Sequence, residues 1–319
     1  VVFLVLLVIA CTPVSSTDRQ DLDETQDNAV EYRPIKPSTA EPIIPCADSQ
    51  PTFIKTLDTR QEEAIPEPVP HVPFRDAIYG GCVVRVTDRK NDLPKADPSK
   101  GLKNAYSRIQ SFNADGTLIM VRSVEANFYV YDAMTLDLLG ALPSMSDPRW
   151  SNLYPHLIYD IDELRLMSFN LNSGECQLVH DFSEDFHDQD ITAVWTRWEG
   201  SPSVDDRYWA LMAQDQDWMT VAFIVYDLET DQIIARRDFR PPQDVDSVTM
   251  SPLGNYVLAQ FECCERDPLG SADHPCGLMV YDRNLANARG LLRIVGHSDV
   301  ALDADGNEIF FYQDIDSDQ

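Results

Sequence analysis

Ser111-Phe112-Asn113-Ala114-Asp115-Gly116 runs into Thr117-Leu118-Ile119-Met120-Val121, then Phe128-Tyr129-Val130-Tyr131-Asp132, then Thr135-Leu136-Asp137. Asp-Gly supplies the positive φ that a tight hairpin turn needs. The apolar runs are rich in β-branched and aromatic residues and are strand length, with turn residues at both ends. The Tyr-Asp that closes the second run starts another turn, because an Asp side chain can accept from the backbone ahead of it.

The pattern recurs in both directions along the chain. A second unit reads Pro148-Arg149-Trp150-Ser151, Leu157-Ile158-Tyr159, Leu166-Met167-Ser168-Phe169-Asn170 and Asn172-Ser173-Gly174-Glu175, without the Tyr-Asp. A third has Ser203-Val204-Asp205-Asp206-Arg207-Tyr208, Val225-Tyr226-Asp227 and Glu229-Thr230-Asp231. A fourth has Met250-Ser251-Pro252-Leu253-Gly254-Asn255 and Val280-Tyr281-Asp282, and a fifth begins at Leu302-Asp303-Ala304-Asp305-Gly306-Asn307. A unit of roughly 40 to 55 residues holds four short strands with their loops, the size of a propeller blade. These repeats predict an all-β fold, a β-propeller of four-stranded blades. About five units are visible, the last broken off as if the C-terminus were truncated. A string of β-sandwich domains would not place near-identical Tyr-Asp turns in successive units.

The pattern resembles the TolB-type and WD-repeat-like propellers of bacterial envelopes, whose blades carry Ser-Pro-Asp-Gly before a strand and Tyr-Asp before Thr-Gly, from about residue 105 onward. The departures are Asp205-Asp206, Leu253-Gly254 and the second unit. The resemblance implies a fold more than an activity.

Three regions are expected: 1–11 a lipoprotein signal peptide with its cysteine, 12–70 a tether, 71–319 the propeller. Val1 to Ala10 is an uncharged apolar run, too short for a bilayer span of about 20 residues but of signal-peptide length. Val8-Ile9-Ala10-Cys11 resembles the bacterial lipobox, which implies cleavage before Cys11 and lipid on its sulfur. The expected location is therefore exported, at the outer membrane or cell surface. The missing Met and basic n-region suggest a short N-terminal truncation. The tether is read from Pro34, Pro37, Pro42, Pro45, Pro51, Pro66, Pro68 and Pro70 among polar residues, too little apolar surface to offset ordering entropy. Ile43-Ile44 and Phe53-Ile54 are its candidates for docking on the domain.

The formal charge is −28, from 53 Asp and Glu against 25 Lys and Arg. Such a surface repels phosphate backbones and anionic lipids, so nucleic acid is not an expected partner and the membrane is reached only through the lipid. Besides Cys11 there are Cys46, Cys82, Cys176, Cys263, Cys264 and Cys276. An even remainder in an exported chain suggests disulfides. The fourth unit is longer than the first between its turn glycine and its Tyr-Asp, and Cys263-Cys264 and Cys276 bracket the extra residues. Adjacent strand residues face opposite ways, so one of the pair bridges to Cys276; Cys263 is the favoured choice.

Candidate binding residues are Trp195, Arg197 and Trp198, with Trp209 and Trp218 following. Indole faces stack on sugar rings and Arg197 can hold a carboxylate; filling the wedge between blades is the plainer use of the same rings. His297 and Asp299 stand beside Gly296 at one mouth. This stretch resembles the propeller-type oligogalacturonate lyases, which implies a divalent metal held by a His with carboxylates; a turn histidine is the simpler reading. Asp303, Asp305 and Glu308 have part of a calcium-loop spacing, with Gly306 misplaced for an EF-hand, and the same position in other units is a plain hairpin. Asp314, Asp316 and Asp318 have calcium-like spacing too. His180 to Asp190 holds two His and four Asp, read first as a solvated acidic loop. No certain cofactor follows; calcium or manganese is the candidate metal.

No G-x-S-x-G, H-E-x-x-H or phosphate-binding glycine loop occurs. The leading expectation is thus a lipid-anchored, non-enzymatic binding protein of the envelope, with a protein or polysaccharide ligand. The alternative is a metal-assisted carbohydrate-active enzyme, a lyase or hydrolase, on the same scaffold.

Overall fold

Among the described residues twenty strands follow one another in order, and almost every one pairs antiparallel with its neighbour in sequence. The computed structural model describes residues 34–39, 66–187, 190–262, 264 and 269–313. A small hairpin, β1 (Phe74–Arg75) with β2 (Cys82–Val83), comes first. Four four-stranded blades follow. The first is β3 (Leu102–Lys103), β4 (Leu118–Ser123), β5 (Phe128–Asp132) and β6 (Leu138–Ala141). The second is β7 (Arg149–Trp150), β8 (Leu157–Asp162), β9 (Arg165–Asn170) and β10 (Cys176–Asp181). The third is β11 (Ala193–Trp195), β12 (Tyr208–Gln214), β13 (Thr220–Asp227) and β14 (Gln232–Gln243). The fourth is β15 (Val245–Met250), β16 (Tyr256–Phe261), β17 (Leu278–Asp282) and β18 (Arg289–Leu292). A two-stranded sheet, β19 (Ser298–Leu302) with β20 (Glu308–Tyr312), stands where a fifth blade begins. The expected propeller is the observed fold.

The strands read as unbroken apolar runs because both faces of each blade are covered. Alternate residues of β4 go opposite ways. Leu118 and Met120 pack with Trp150, Ile158, Met167 and Phe169 of the second blade. Ile119 and Val121 pack under Val84, Val86 and Leu102 instead. In β12, Trp209 and Leu211 meet Tyr159, Ile161 and Leu166 of the second blade. Ala210 and Met212 meet Val248, Met250 and Val257 of the fourth. Trp209 is the wedge filler that the packing reading expects: it is 1% exposed and stands edge-on to Tyr159 at 5.6 Å.

Each repeated turn does the work its residues suggest. Asp132 Oδ1 accepts from the N–H of Met134 at 2.8 Å and of Thr135 at 2.7 Å. In the second blade, which lacks Tyr-Asp, Asn170 serves in its place and accepts from Asn172 N–H at 2.8 Å. Gly254 has φ +70°, and a Cβ there would come within 2.5 Å of the Tyr208 ring.

The ring is drawn together by Arg108, in the segment between β3 and β4. Its guanidinium donates to Ser247 Oγ and Gln260 Oε1 on the fourth blade, each at 3.0 Å, and pairs with Glu199 at 2.8 Å. Both members of the ion pair are nearly buried.

Of the expected tether, 34–39 and 66–70 fall among the described residues. Ile35 is buried in the seam between the first two blades, and its N–H donates to Leu171 O at 3.1 Å. Ile43-Ile44 and Phe53-Ile54 lie outside the described residues, as do the signal peptide, Cys11, Cys46, Cys263 and Asp314, Asp316 and Asp318. The bridge of the fourth blade is Cys264–Cys276, with Cα atoms 5.0 Å apart, which corrects the choice of Cys263. Cys264 is buried and tied by its N–H to Arg293 O at 3.0 Å, which holds its side chain against Cys276. Cys82 and Cys176 are disulfide-bonded as well.

Candidate functional site

In each blade the innermost strand comes first, so the propeller has two mouths. One collects the chain that leads into the inner strands, together with the turns between second and third strands. We call it the indole mouth. The other, the hairpin mouth, collects the turns between first and second strands and those between third and fourth.

The indole mouth opens into a cavity of about 640 Å³. Its floor is apolar, with Ile109, Phe128, Met145 and Ile161. Its wall is a cluster of three indoles. Trp195 ends β11, and its ring lies 4.7 Å from that of Trp198 and 5.5 Å from that of Trp218, centroid to centroid. Hydrogen bonds hold two of the rings and the main chain of the third. Trp195 Nε1 donates to Gln214 Oε1 at 2.7 Å, and Trp198 Nε1 donates to Ser146 O at 2.8 Å. Gln214 Nε2 in turn donates to Trp218 O at 2.9 Å. Trp198 and Trp218 remain 49% and 50% exposed, so fixed ring faces are offered to solvent. Arg197, Trp198 and Trp218 all have positive φ, at 57°, 65° and 61°. Bulky residues in this region are strained, and such strain gathers at binding sites.

The polar groups of the cavity divide into committed and free. Arg149 is committed. It donates to Gly200 O at 2.6 Å and Thr196 Oγ1 at 2.8 Å, and pairs with Asp147 at 2.7 Å, both side chains buried. Thr196 Oγ1 donates to Asp147 Oδ2 at 2.8 Å and completes the knot. Gly200 is required there, because a Cβ would stand 2.0 Å from Val248 O. Behind the knot, Asp160 accepts from Asp147 N–H at 2.8 Å and Ser146 N–H at 3.1 Å. Burial pushes its carboxyl up to about 7, against the pull of those backbone bonds; the nearby Asp147 charge adds to the rise. Arg197 donates to Val245 O at 2.7 Å and keeps part of its guanidinium exposed. Arg122 lines the cavity without an ion-pair partner among the described residues. Glu163, on the exposed turn between β8 and β9, is the uncommitted carboxylate of the lining.

The predicted Trp195, Arg197 and Trp198 are therefore brought together in one cavity. His297 and Asp299 are not part of it. His297 precedes the inner strand β19 and borders a separate cavity with Tyr106, whose ring is 6.1 Å away. Asp299 faces the channel, where burial raises its carboxyl. Asp303 caps its own hairpin, accepting from Asp305 N–H at 2.9 Å and Asn307 N–H at 2.8 Å. Glu308 links blades, accepting from Leu253 N–H at 2.7 Å and Asn255 Nδ2 at 3.0 Å. His180 lies between Asp231 at 2.6 Å and Asp185 at 2.8 Å, packed on Phe182. Among the described residues no group of three or more His, Cys, Asp or Glu is placed to hold a metal ion. Among the described residues, Asp303, Asp305, Glu308, His297 and Asp299 form no such group. Sequence reasoning missed Arg122 and Glu163, which sit in no motif; only their place beside the second-to-third strand turns brings them here.

No protein-family model matches the chain, and no curated protein matches it. Among solved structures it is similar to an oligogalacturonate lyase from Vibrio parahaemolyticus, at 14% identity and a TM-score of 0.47, covering 76% of this chain. An oligogalacturonate lyase in complex with manganese is similar with the same figures. The chain spans 66% of each, just under two thirds of their length. The leaning toward a non-enzymatic protein, read from the tether, the anchor, the repeat scaffold and the missing catalytic motifs, is not borne out: both of these solved propellers are enzymes. A propeller assembles its mouth from turns of several blades and writes no contiguous motif. What this similarity shares with the chain is the fold: an all-β propeller of four-stranded antiparallel blades.

Proposed function

We propose that the indole mouth is a carbohydrate-active site for acidic oligosaccharides, working by elimination. The observation that carries the reading is the cavity itself, where three fixed indoles stand beside Arg122 and Arg197. Indoles take the apolar faces of sugar rings, and guanidinium groups take carboxylates in a planar fork. A uronate offers both. In an elimination the arginines neutralise the sugar carboxylate, which acidifies the adjacent C–H. Glu163 takes that proton, because Asp147 is held by Arg149 and Thr196. The C–H electron pair forms the ring double bond, the glycosidic C–O bond breaks, and the leaving oxygen takes a proton from solvent. No step passes through a metal.

The test titrates oligouronates against tryptophan fluorescence and follows the ultraviolet absorbance of the unsaturated product. Trp198→Ala with Trp218→Ala is expected to weaken binding by about tenfold or more with the melting temperature unchanged. Glu163→Gln is expected to bind but not turn over. Failure of oligouronates to saturate the wild type would remove the reading. The cellular setting belongs to the same proposal: Val8-Ile9-Ala10-Cys11 directs export and lipid attachment at Cys11, at the outer membrane or cell surface. Fatty-acid labelling that Cys11→Ala abolishes is its check.

A further inference from the structure

The hairpin mouth has a different surface. The turns between first and second strands are chained from blade to blade. Asn113 Nδ2 donates to Pro155 O at 2.9 Å, and Asn152 Nδ2 donates to Ser203 O at 3.1 Å. Val204 N–H donates to Pro252 O at 2.8 Å, and Leu253 N–H to Glu308 Oε1 at 2.7 Å. The rim is therefore continuous, and its side chains stand in fixed places.

Those side chains are apolar where the turn does not need them to be. The first and fifth units carry Ala114-Asp115 and Ala304-Asp305 at the turn tip. The three units between carry Leu153-Tyr154, Val204 and Leu253, which are 45% to 53% exposed. Val204 lines a depression of about 370 Å³ with Asn152, Pro202, Pro252 and Leu302, which reaches inward to Arg108 and Asp299; Leu153, Tyr154 and Leu253 stand on the same set of turns. An apolar patch shared by three successive blades has no role in closing a hairpin, and contiguous exposed apolar surface marks contact sites. Around it the exposed acidic side chains without an ion-pair partner among the described residues are Asp115, Asp137, Glu175, Asp205 and Asp305. Of the cations on the same rim, Arg207 is neutralised by Asp227 at 2.8 Å and by Glu229, and Arg283 is drawn over the Tyr208 ring at 4.3 Å, so the acidic side chains outnumber them.

We propose that the hairpin mouth docks a basic segment of a second protein, whose apolar side chains cover Leu153, Tyr154, Val204 and Leu253 while its cations face the acidic surround. Charge complementarity chooses this occupant: an acidic saccharide is repelled here, and a neutral one leaves the carboxylates unmatched. The two mouths then have separate tasks, and the docking does not depend on the chemistry of the indole cavity.

The test uses synthetic peptides of one length with a Leu-Phe centre, flanked by Lys and Arg, by Ser, or by Asp and Glu, with an oligouronate as the saccharide control. Binding is measured on the full chain and on Leu153→Ser/Val204→Ser/Leu253→Ser, whose substituted side chains are exposed; circular dichroism and melting confirm its fold. The basic peptide is expected to bind, and to weaken about tenfold in the triple variant and with added salt. Trp198→Ala is expected to leave it unchanged. Equal binding by the triple variant overturns the proposal, as does equal binding of the acidic-flanked peptide. Silence of the basic peptide, or saccharide binding that the triple variant abolishes, overturns it too.

Discussion

The two mouths of this propeller are built from the same repeat but held together in opposite ways. At the hairpin mouth cohesion is spread over many single bonds, each from one turn to the next: Asn113 to Pro155, Asn152 to Ser203 and Val204 to Pro252. At the indole mouth it is gathered into one buried knot of Asp147, Arg149 and Thr196. The difference shows how a repeat fold frees surface for a ligand. Concentrating the structural bonds behind the wall leaves Trp198, Trp218, Arg122 and Glu163 in front of it with few obligations.

If that contrast is right, the largest effect comes from cutting the knot. Arg149→Met leaves Asp147 as a buried carboxylate without its cation. Breaking such a pair costs about 3 to 5 kcal/mol, so the denaturant midpoint should fall steeply, together with saccharide binding. A loss under about 1 kcal/mol would mean that the knot behaves as a surface pair and that the contrast fails.

A second effect comes from Asp160, behind the same knot. Its folded pKa of about 7 lies above the ordinary aspartate value of 3.8. The protonated form is favoured by folding, so its contribution to stability is full below about pH 4 and is lost as pH rises to about 7. Asp160→Asn should flatten that slope and be the more stable protein at pH 8, by a few kcal/mol on the order set by such a shift. Chemical denaturation across this pH range reads it. A slope that survives the substitution would place the titration elsewhere.

The smallest effect belongs to the hairpin mouth. Asn152→Ala removes bonds to Ser203 O and Asp206 Oδ1 from a side chain near the surface. A loss of about 1 kcal/mol is expected, with saccharide binding untouched. A drop as large as that of Arg149→Met would show that this rim, too, hangs on one residue.

The fold was legible where strands are long and doubly buried. Thr117 to Val121 and Ala222 to Tyr226 announce themselves by composition, and Asp115-Gly116 and Tyr131-Asp132 by turn chemistry. The inner strands were not legible. Arg149–Trp150 and Ala193–Trp195 are two and three residues long, too short for any period. Units read from turn to turn therefore left Trp195 between repeats, although it opens the third blade. Within the site, Trp195, Arg197 and Trp198 stood out because tryptophan is rare and the three are close in sequence. Arg122 and Glu163 did not, because a lone charged residue near a turn looks like any other and only ring closure puts it beside an indole. The choice between Cys263 and Cys264 turned on which side chain faces inward, which strand parity leaves undecided at the end of a strand.

Arg108 carries a consequence for the order of folding. Its partners Ser247, Gln260 and Gly296 are 139, 152 and 188 residues further along the chain. Each blade closes on pairings far shorter than these, the longest being Tyr256 with Asp282, so blades can form one by one as the chain emerges. The clasp cannot form until the last of those residues has arrived, and contacts that span so much chain form slowly. Until then the first blade has no link through Arg108 to the fourth, and the apolar residues that line the channel are open to water. Vectorial synthesis of this protein therefore passes through an open crescent, and the guanidinium of Arg108 converts it into a ring in one late step.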